Sequence, residues 1–185
     1  MKIKKSIREL FCQKLKGSSS SNLEVRLEGE AGISKVLIHV DVFSKIIAYN
    51  LAFNAKYKEL ENAGILTGLR IGEIILITGA YQAKKLITSN VDFTIPEEEL
   101  IRIDKQRIKE NQPGFVGIYH LHPGFGSFLS TKDVEATQRF DRFYGKSVNL
   151  VISIRDGSIE YGFFTVQNGK PKKLDCEFLV GPSDV

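Results

Sequence analysis

Cysteine is nearly absent: Cys12 and Cys176 are the two in 185 residues. They have no C-x-x-C spacing and make no disulfide framework, which argues against metal ligation through sulfur and for a reducing, intracellular and cytoplasmic setting. Long hydrophobic runs are absent too. No stretch approaches the roughly 18 apolar residues of a membrane-spanning helix, and the basic N-terminus lacks the apolar region and cleavage site of a signal peptide. Charge of one sign is lacking outside the first 16 residues. That segment carries six Lys/Arg and one Glu, leaving 20 basic and 21 acidic residues elsewhere. The net charge of +4 therefore belongs to the N-terminus, and a nucleic-acid partner, which wants a basic patch on the folded body, is not expected.

What remains is an ordinary globular composition, with 42% hydrophobic and 26% charged residues, and a length suited to one domain with a core. Residues 1–22 read as an arm. Ile3, Ile7, Leu10, Phe11 and Leu15 make one apolar helical stripe, and GSSSSN from Gly17 is a flexible linker. Such an arm packs on its own domain or frays; docking to an acidic partner or membrane surface is the alternative. Residues 23–185 read as the domain.

The domain alternates strands and helices. Leu23, Val25 and Leu27 alternate as in a strand, and Lys35 to Val40 is a second strand holding His39, which has no partner at ligand spacing. Asp41 is placed to cap a helix to about Ala55 with Val42, Ile46 and Tyr49 on one face. GILTG from Gly64 and the apolar run Glu73 to Tyr81 form a hairpin-like pair. Residues 82–95 read as a strand-and-loop insertion, and Thr94 to Asn111 as a helix with acidic start and basic end. After a buried strand from Phe115 and a further helix, Asp156-Gly157 marks a hairpin between Ser147–Ile154 and Ser158–Val166. A last strand or helix start lies near Leu174 to Val180. The order predicts an α/β fold, a mixed, curved sheet packed with helices.

The chemistry concentrates in YHLHPGFGSFLSTKD, Tyr119 to Asp133. Two of the three histidines sit here. On a strand, His120 and His122 point to one side. Pro123, Gly124 and Gly126 turn the chain. A helix with Ala136, Phe140 and Phe143 on one face follows, with Asp133 in its first turn. Two imidazoles and a carboxylate are a known ligand set for catalytic zinc. Ser130 through Asp133 also has the form of a helix capping box.

His120-x-His122 with Ser130 and Asp133 resembles the JAMM (MPN+) metalloprotease signature. Glu61-Asn-Ala-Gly64-Ile-Leu66-Thr-Gly68 matches that family's upstream E-x-x-G-x-L-x-G, and the flanking residues are nearest its proteasome-lid deubiquitinase and signalosome deneddylase branches. Leu121 departs from the family, which carries a small serine between the histidines; on the opposite strand face it should not disturb ligation. The resemblance covers about residues 24–180. It implies the layered, cytidine-deaminase-like JAMM/MPN fold and a single catalytic Zn2+ on His120, His122 and Asp133. It also implies Glu61 as general base and then acid, and Ser130 as hydrogen-bond donor to the developing oxyanion. The implied reaction is release of ubiquitin or a ubiquitin-like modifier from lysine, with a proteasome-like or other assembly as further partner. The alternatives are a peptidase trimming the C-terminus of a ubiquitin-like sulfur carrier, a non-catalytic MPN scaffold, and an adaptor acting through the basic arm.

Overall fold

The computed structural model describes residues 32–181; the expected arm helix, the linker, the Leu23–Leu27 strand and Cys12 lie outside the described residues. Strand β1 (Lys35–His39) leads into helix α1 (Val40–Lys56), then β2 (Ala63–Ile71) and β3 (Ile74–Gln82). Two short strands, β4 (Ile87–Thr88) and β5 (Phe93–Thr94), precede α2 (Glu97–Lys109) and β6 (Phe115–Pro123). Helix α3 (Thr131–Tyr144) and strands β7 (Val148–Arg155), β8 (Ser158–Gln167) and β9 (Lys170–Leu179) complete the chain.

β6 is buried over its whole length, and its two faces serve different ends. Tyr119 and Leu121 enter the main apolar core with Val42 and Ile46 of α1, Ile77 of β3 and Leu150 of β7. Ile118 faces the other way, into a cluster with Ile103 of α2 and Phe140 of α3. Because side chains alternate along a strand, His120 and His122 share the face of Ile118, toward α2 and α3. Leu121 is fully buried in the core, away from the histidines.

The mixed α/β character and the curved sheet are as expected, but the sheet goes further and closes on itself, in the order β1-β3-β2-β6-β7-β8-β9. The segment near Leu174, open between strand and helix start in the sequence, is a strand whose second half pairs in parallel with β1, Lys35 with Asp175 through His39 with Leu179. That pairing joins the two ends of the described chain, which no local pattern reveals. The insertion forms a separate two-stranded sheet of β4 and β5.

Local expectations shift in four places. The helix after β1 begins at Val40 with His39 at its N-cap, and Asp41 falls in the first turn. Its inner face is Val42, Ile46 and Asn50, while Tyr49 is exposed; the i+4 series continues to Asn50 because its amide hydrogen-bonds there. Thr94 belongs to β5, and α2 starts at Glu97 behind Pro96. The inner face of α3 is Asp133, Thr137 and Phe140, whereas Phe143 is 82% exposed on the rim of a cleft. Two motif glycines permit close approach. A Cβ at Gly64 would lie 2.5 Å from the Tyr119 ring, and one at Gly68 would lie 1.9 Å from the Leu76 carbonyl oxygen. Gly68 also adjoins irregular register between β2 and β3.

Candidate metal centre

Strand β6 delivers both histidines to its outer face, and the turn after Pro123 brings α3 back against them. His120 Nε2 lies 3.1 Å from His122 Nε2. The nearer Asp133 oxygens stand 3.6 Å from His120 Nε2 and 3.7 Å from His122 Nε2. One ligand atom from each of the three lies within 4.8 Å of the others, and all three residues are buried. Two imidazole nitrogens at this separation fit around one ion, since Zn–N bonds of about 2.0–2.1 Å in tetrahedral array put nitrogens a little over ~3 Å apart. Without a proton or a cation between them, their lone pairs would oppose each other. The donor set therefore fits a divalent metal of zinc type.

The surroundings orient each donor. His122 Nδ1 lies 3.1 Å from the Gly126 carbonyl oxygen; the ring donates there, which leaves Nε2 as the free lone pair. Phe93 of β5 lies over His120 with ring centroids 5.1 Å apart, and Phe128 meets His122 edge-on at 5.3 Å. Asp133 accepts a 2.7 Å hydrogen bond from the Ser130 amide, and its own amide donates to the Ser130 hydroxyl at 3.2 Å. The capping box is thus formed. Behind it, Thr137 donates to the Asp133 carbonyl at 2.6 Å and accepts from Asn149 at 2.9 Å, so the turn of α3 bearing the carboxylate is fixed from beneath.

Electrostatics follow from this packing. Burial lowers the His120 imidazolium pKa to about 4, so the ring is neutral near pH 7, as a ligand must be. Burial works to raise Asp133, but the adjoining His122 and His120 rings and the hydrogen bond from the Ser130 amide outweigh it and hold the carboxyl well below its usual range. Glu61, 4% exposed, precedes β2. Burial pushes its carboxyl up to about 7, against the pull of His122 and with the push of Asp133. Glu61 thus lies within electrostatic reach of the ligand cluster. The insertion touches it directly: the Glu61 amide donates to the Ser89 carbonyl at 2.9 Å, and the Thr88 hydroxyl donates to the Glu61 carbonyl at 2.6 Å. Across the opening, Lys132 of α3 pairs with Asp92 of the insertion at 2.9 Å.

The structure therefore brings His120, His122, Asp133 and Ser130 into one contact network, with Glu61 beside it. His39 is buried apart from them, its Nδ1 without a partner. The residues that sequence reasoning missed are Gly126, Phe93, Thr137 and Asn149. Gly126 acts through a backbone carbonyl, which leaves no side-chain signature. A cleft of about 500 Å³ adjoins the site, lined by Ile65, Phe93, Leu100, Ile118 and Phe140 among others. Phe93 forms part of both. The arrangement can hold a metal, polarise a carbonyl and move a proton at its edge.

No protein-family model matches the chain. It is 28% identical over 138 residues to AMSH-like ubiquitin thioesterase 2 of Arabidopsis thaliana, covering 74% of this chain and 60% of that protein. It is 29% identical over 112 residues to COP9 signalosome complex subunit 5 of Gibberella zeae, covering 57% and 33%. A 37-residue stretch is 46% identical to a 26S proteasome regulatory subunit of Encephalitozoon cuniculi, covering 20% and 13%. The chain thus spans less than two thirds of each of these relatives. In fold it is similar to a protein of Desulfitobacterium hafniense solved in solution, with a TM-score of 0.64 at 17% identity over 79% of this chain and 94% of that one.

Proposed function

We propose that this chain, whose relatives are JAMM/MPN+ proteins, is a zinc-dependent isopeptidase that releases ubiquitin or a ubiquitin-like modifier from lysine side chains. The observation that carries the reading is the convergence of His120, His122 and Asp133 on one point, with their ligand atoms within 4.8 Å, beside a buried glutamate. The similarity to a ubiquitin thioesterase supports the modifier class.

His120, His122 and Asp133 would hold the ion. Bound there, zinc supplies Lewis acidity and makes water a nucleophile near neutral pH. Glu61 takes the attacking water's proton and returns it to the leaving lysine amine; burial keeps its carboxyl basic enough for both transfers. The Ser130 hydroxyl accepts from the Asp133 amide, and its own proton is free to donate to the carbonyl oxygen as charge develops there. Gly126 keeps His122 in the tautomer with Nε2 open. The insertion, held to Glu61 by Ser89 and Thr88, shields the proton path and lies where an extended Gly-Gly tail can reach the site. We place the catalytic domain at residues 23–185, with the layered JAMM fold, and the basic arm before it. The chain works on conjugates in the cytoplasm, within a larger protein assembly.

The test is hydrolysis of a lysine-linked ubiquitin conjugate by purified zinc-loaded protein, with Glu61→Gln as blank. Wild-type cleavage is expected, with the variant retaining its metal and losing at least a hundredfold in kcat, about the scale of general acid–base catalysis. Full activity of Glu61→Gln would remove Glu61 from the mechanism. Cleavage of linear fusions alone would move the assignment to sulfur-carrier processing.

A further inference from the structure

Two buried asparagines lie behind the centre and are used by none of the steps above. Asn62 follows Glu61 directly, and Asn50 sits on the inner face of α1; neither has any exposed surface. The Asn62 amide donates to the Asn50 side-chain oxygen at 3.1 Å, and the Asn50 amide donates to the Ile46 carbonyl at 2.8 Å. The Asn62 main chain reaches the other way: its carbonyl accepts from the Leu121 amide at 2.8 Å. Leu121 is the residue between the two histidines.

One residue is therefore clamped between the helix that fills the apolar interior and the midpoint of the ligand pair. The clamp costs stability, because the Asn62 Oδ1 is buried with no partner, and a buried, half-satisfied amide is worse than an apolar side chain in the same space. Packing alone does not account for an asparagine here, since Ile46, bonded by Asn50, and Leu121, bonded to Asn62, belong to the apolar core. A fixed register does account for it. Shifting Asn62 moves Glu61 on one side and the β6 main chain on the other.

We infer that Asn62, anchored by Asn50, is a positioning residue that sets Glu61 against His120 and His122. The inference rests on the proton-transfer role assigned to Glu61 above. Asn50 and Asn62 act as one unit, and neither touches substrate or metal.

The experiment uses the full zinc-loaded chain with Asn62→Ala, Asn50→Ala and the double variant. It measures kcat, KM, metal affinity by chelator competition, and amide exchange at Glu61 and Leu121. Each single variant should lose about 10- to 100-fold in kcat, the scale of a small misplacement of a catalytic group. KM and metal affinity should stay within about threefold, and the double variant should be no slower than Asn62→Ala. Exchange should rise at Glu61 and Leu121 well beyond the rise at Val151, in the core of β7. Protection lost evenly across the barrel, kcat within twofold of wild type, or singles whose losses multiply would each overturn the inference. A wild type inert on conjugates would sink the isopeptidase reading alone, because the exchange pattern still decides for or against the clamp. If Asn62→Ala does not fold, the volume-matched Asn50→Leu carries the same readouts.

Discussion

Ser130 holds two positions at once. Its hydroxyl accepts from the Asp133 amide while its amide donates to the Asp133 carboxylate, so cap and ligand are joined in one ring of bonds. Removing the hydroxyl separates the two roles. Ser130→Ala should cost about 1 kcal/mol of stability as a lost cap, read by thermal melting. It should also cut kcat by roughly 10²- to 10³-fold as a lost oxyanion donor. A melting shift with less than a threefold change in rate would leave only the cap. Metal removal is a second residue-scale case. With the proposed ion removed, the apposed imidazoles and Asp133 would lose their common partner. Chelation should therefore lower the melting temperature, and stoichiometric Zn2+ should restore it, since a ligand bound only to the folded state stabilises that state. A melting temperature indifferent to both would argue against the site. The residues at this scale were largely legible beforehand, because i, i+2 spacing on a strand and a carboxylate in the next helical turn are local patterns. The orienting carbonyl of Gly126 and the ring of Phe93 were not, since one has no side chain and the other comes from a two-residue strand.

At the scale of elements, α2 shows how the insertion is fastened. Glu99 is buried and accepts from Arg102 at 2.7 and 2.9 Å and from the Lys84 amide at the insertion's start; Arg102 also donates to the Gln82 carbonyl at 3.1 Å. The Arg102 guanidinium, working against burial and helped by Lys84, lowers the Glu99 carboxyl to about 2. A group with a depressed folded pKa contributes stability above its unfolded value, near 4.5, and loses it as pH falls through about 2. Glu99→Gln should therefore lower stability at neutral pH by about 1–3 kcal/mol, and the gap to wild type should close between pH ~4.5 and ~2. A gap unchanged across that window in denaturant melts would show that Glu99 does not supply the acid sensitivity. Within the insertion, Ile87 is 70% exposed on β4. Ile87→Asp should raise KM for the conjugate with kcat unchanged, and an unchanged KM would place the modifier elsewhere. Strands bounded by turn residues were legible here, as were the helices. The inner face of α1 was not, because a hydrophobic count favours Tyr49 over the hydrogen-bonded Asn50. Phe143 misled in the same way, as an apolar residue left at the rim of a cleft.

The whole molecule turns on one pairing. β9 bonds to β8 with Lys170–Leu174 and to β1 with Asp175–Leu179. Where β8 and β9 part, Phe43 of α1 meets Tyr161 at 4.9 Å and Phe178 at 5.0 Å, so an aromatic cluster sits at the split. Closure was the part of the fold least legible in the sequence, since its partners lie at opposite ends of the described chain and obey no short period. Ending the chain after Asn168 should abolish cooperative unfolding and zinc-dependent stabilisation alike, although every proposed metal ligand remains; a cooperative, zinc-responsive truncation would show that closure is dispensable. Among the described strands, the sealing strand is also the last that a ribosome makes. His120, His122 and Asp133 leave the exit tunnel well before Asp175 does, while β1, the first of the described strands, carries a bare edge until β9 follows. During synthesis the proposed ligands exist before the body that would hold them, and an unpaired strand edge stays open through that interval.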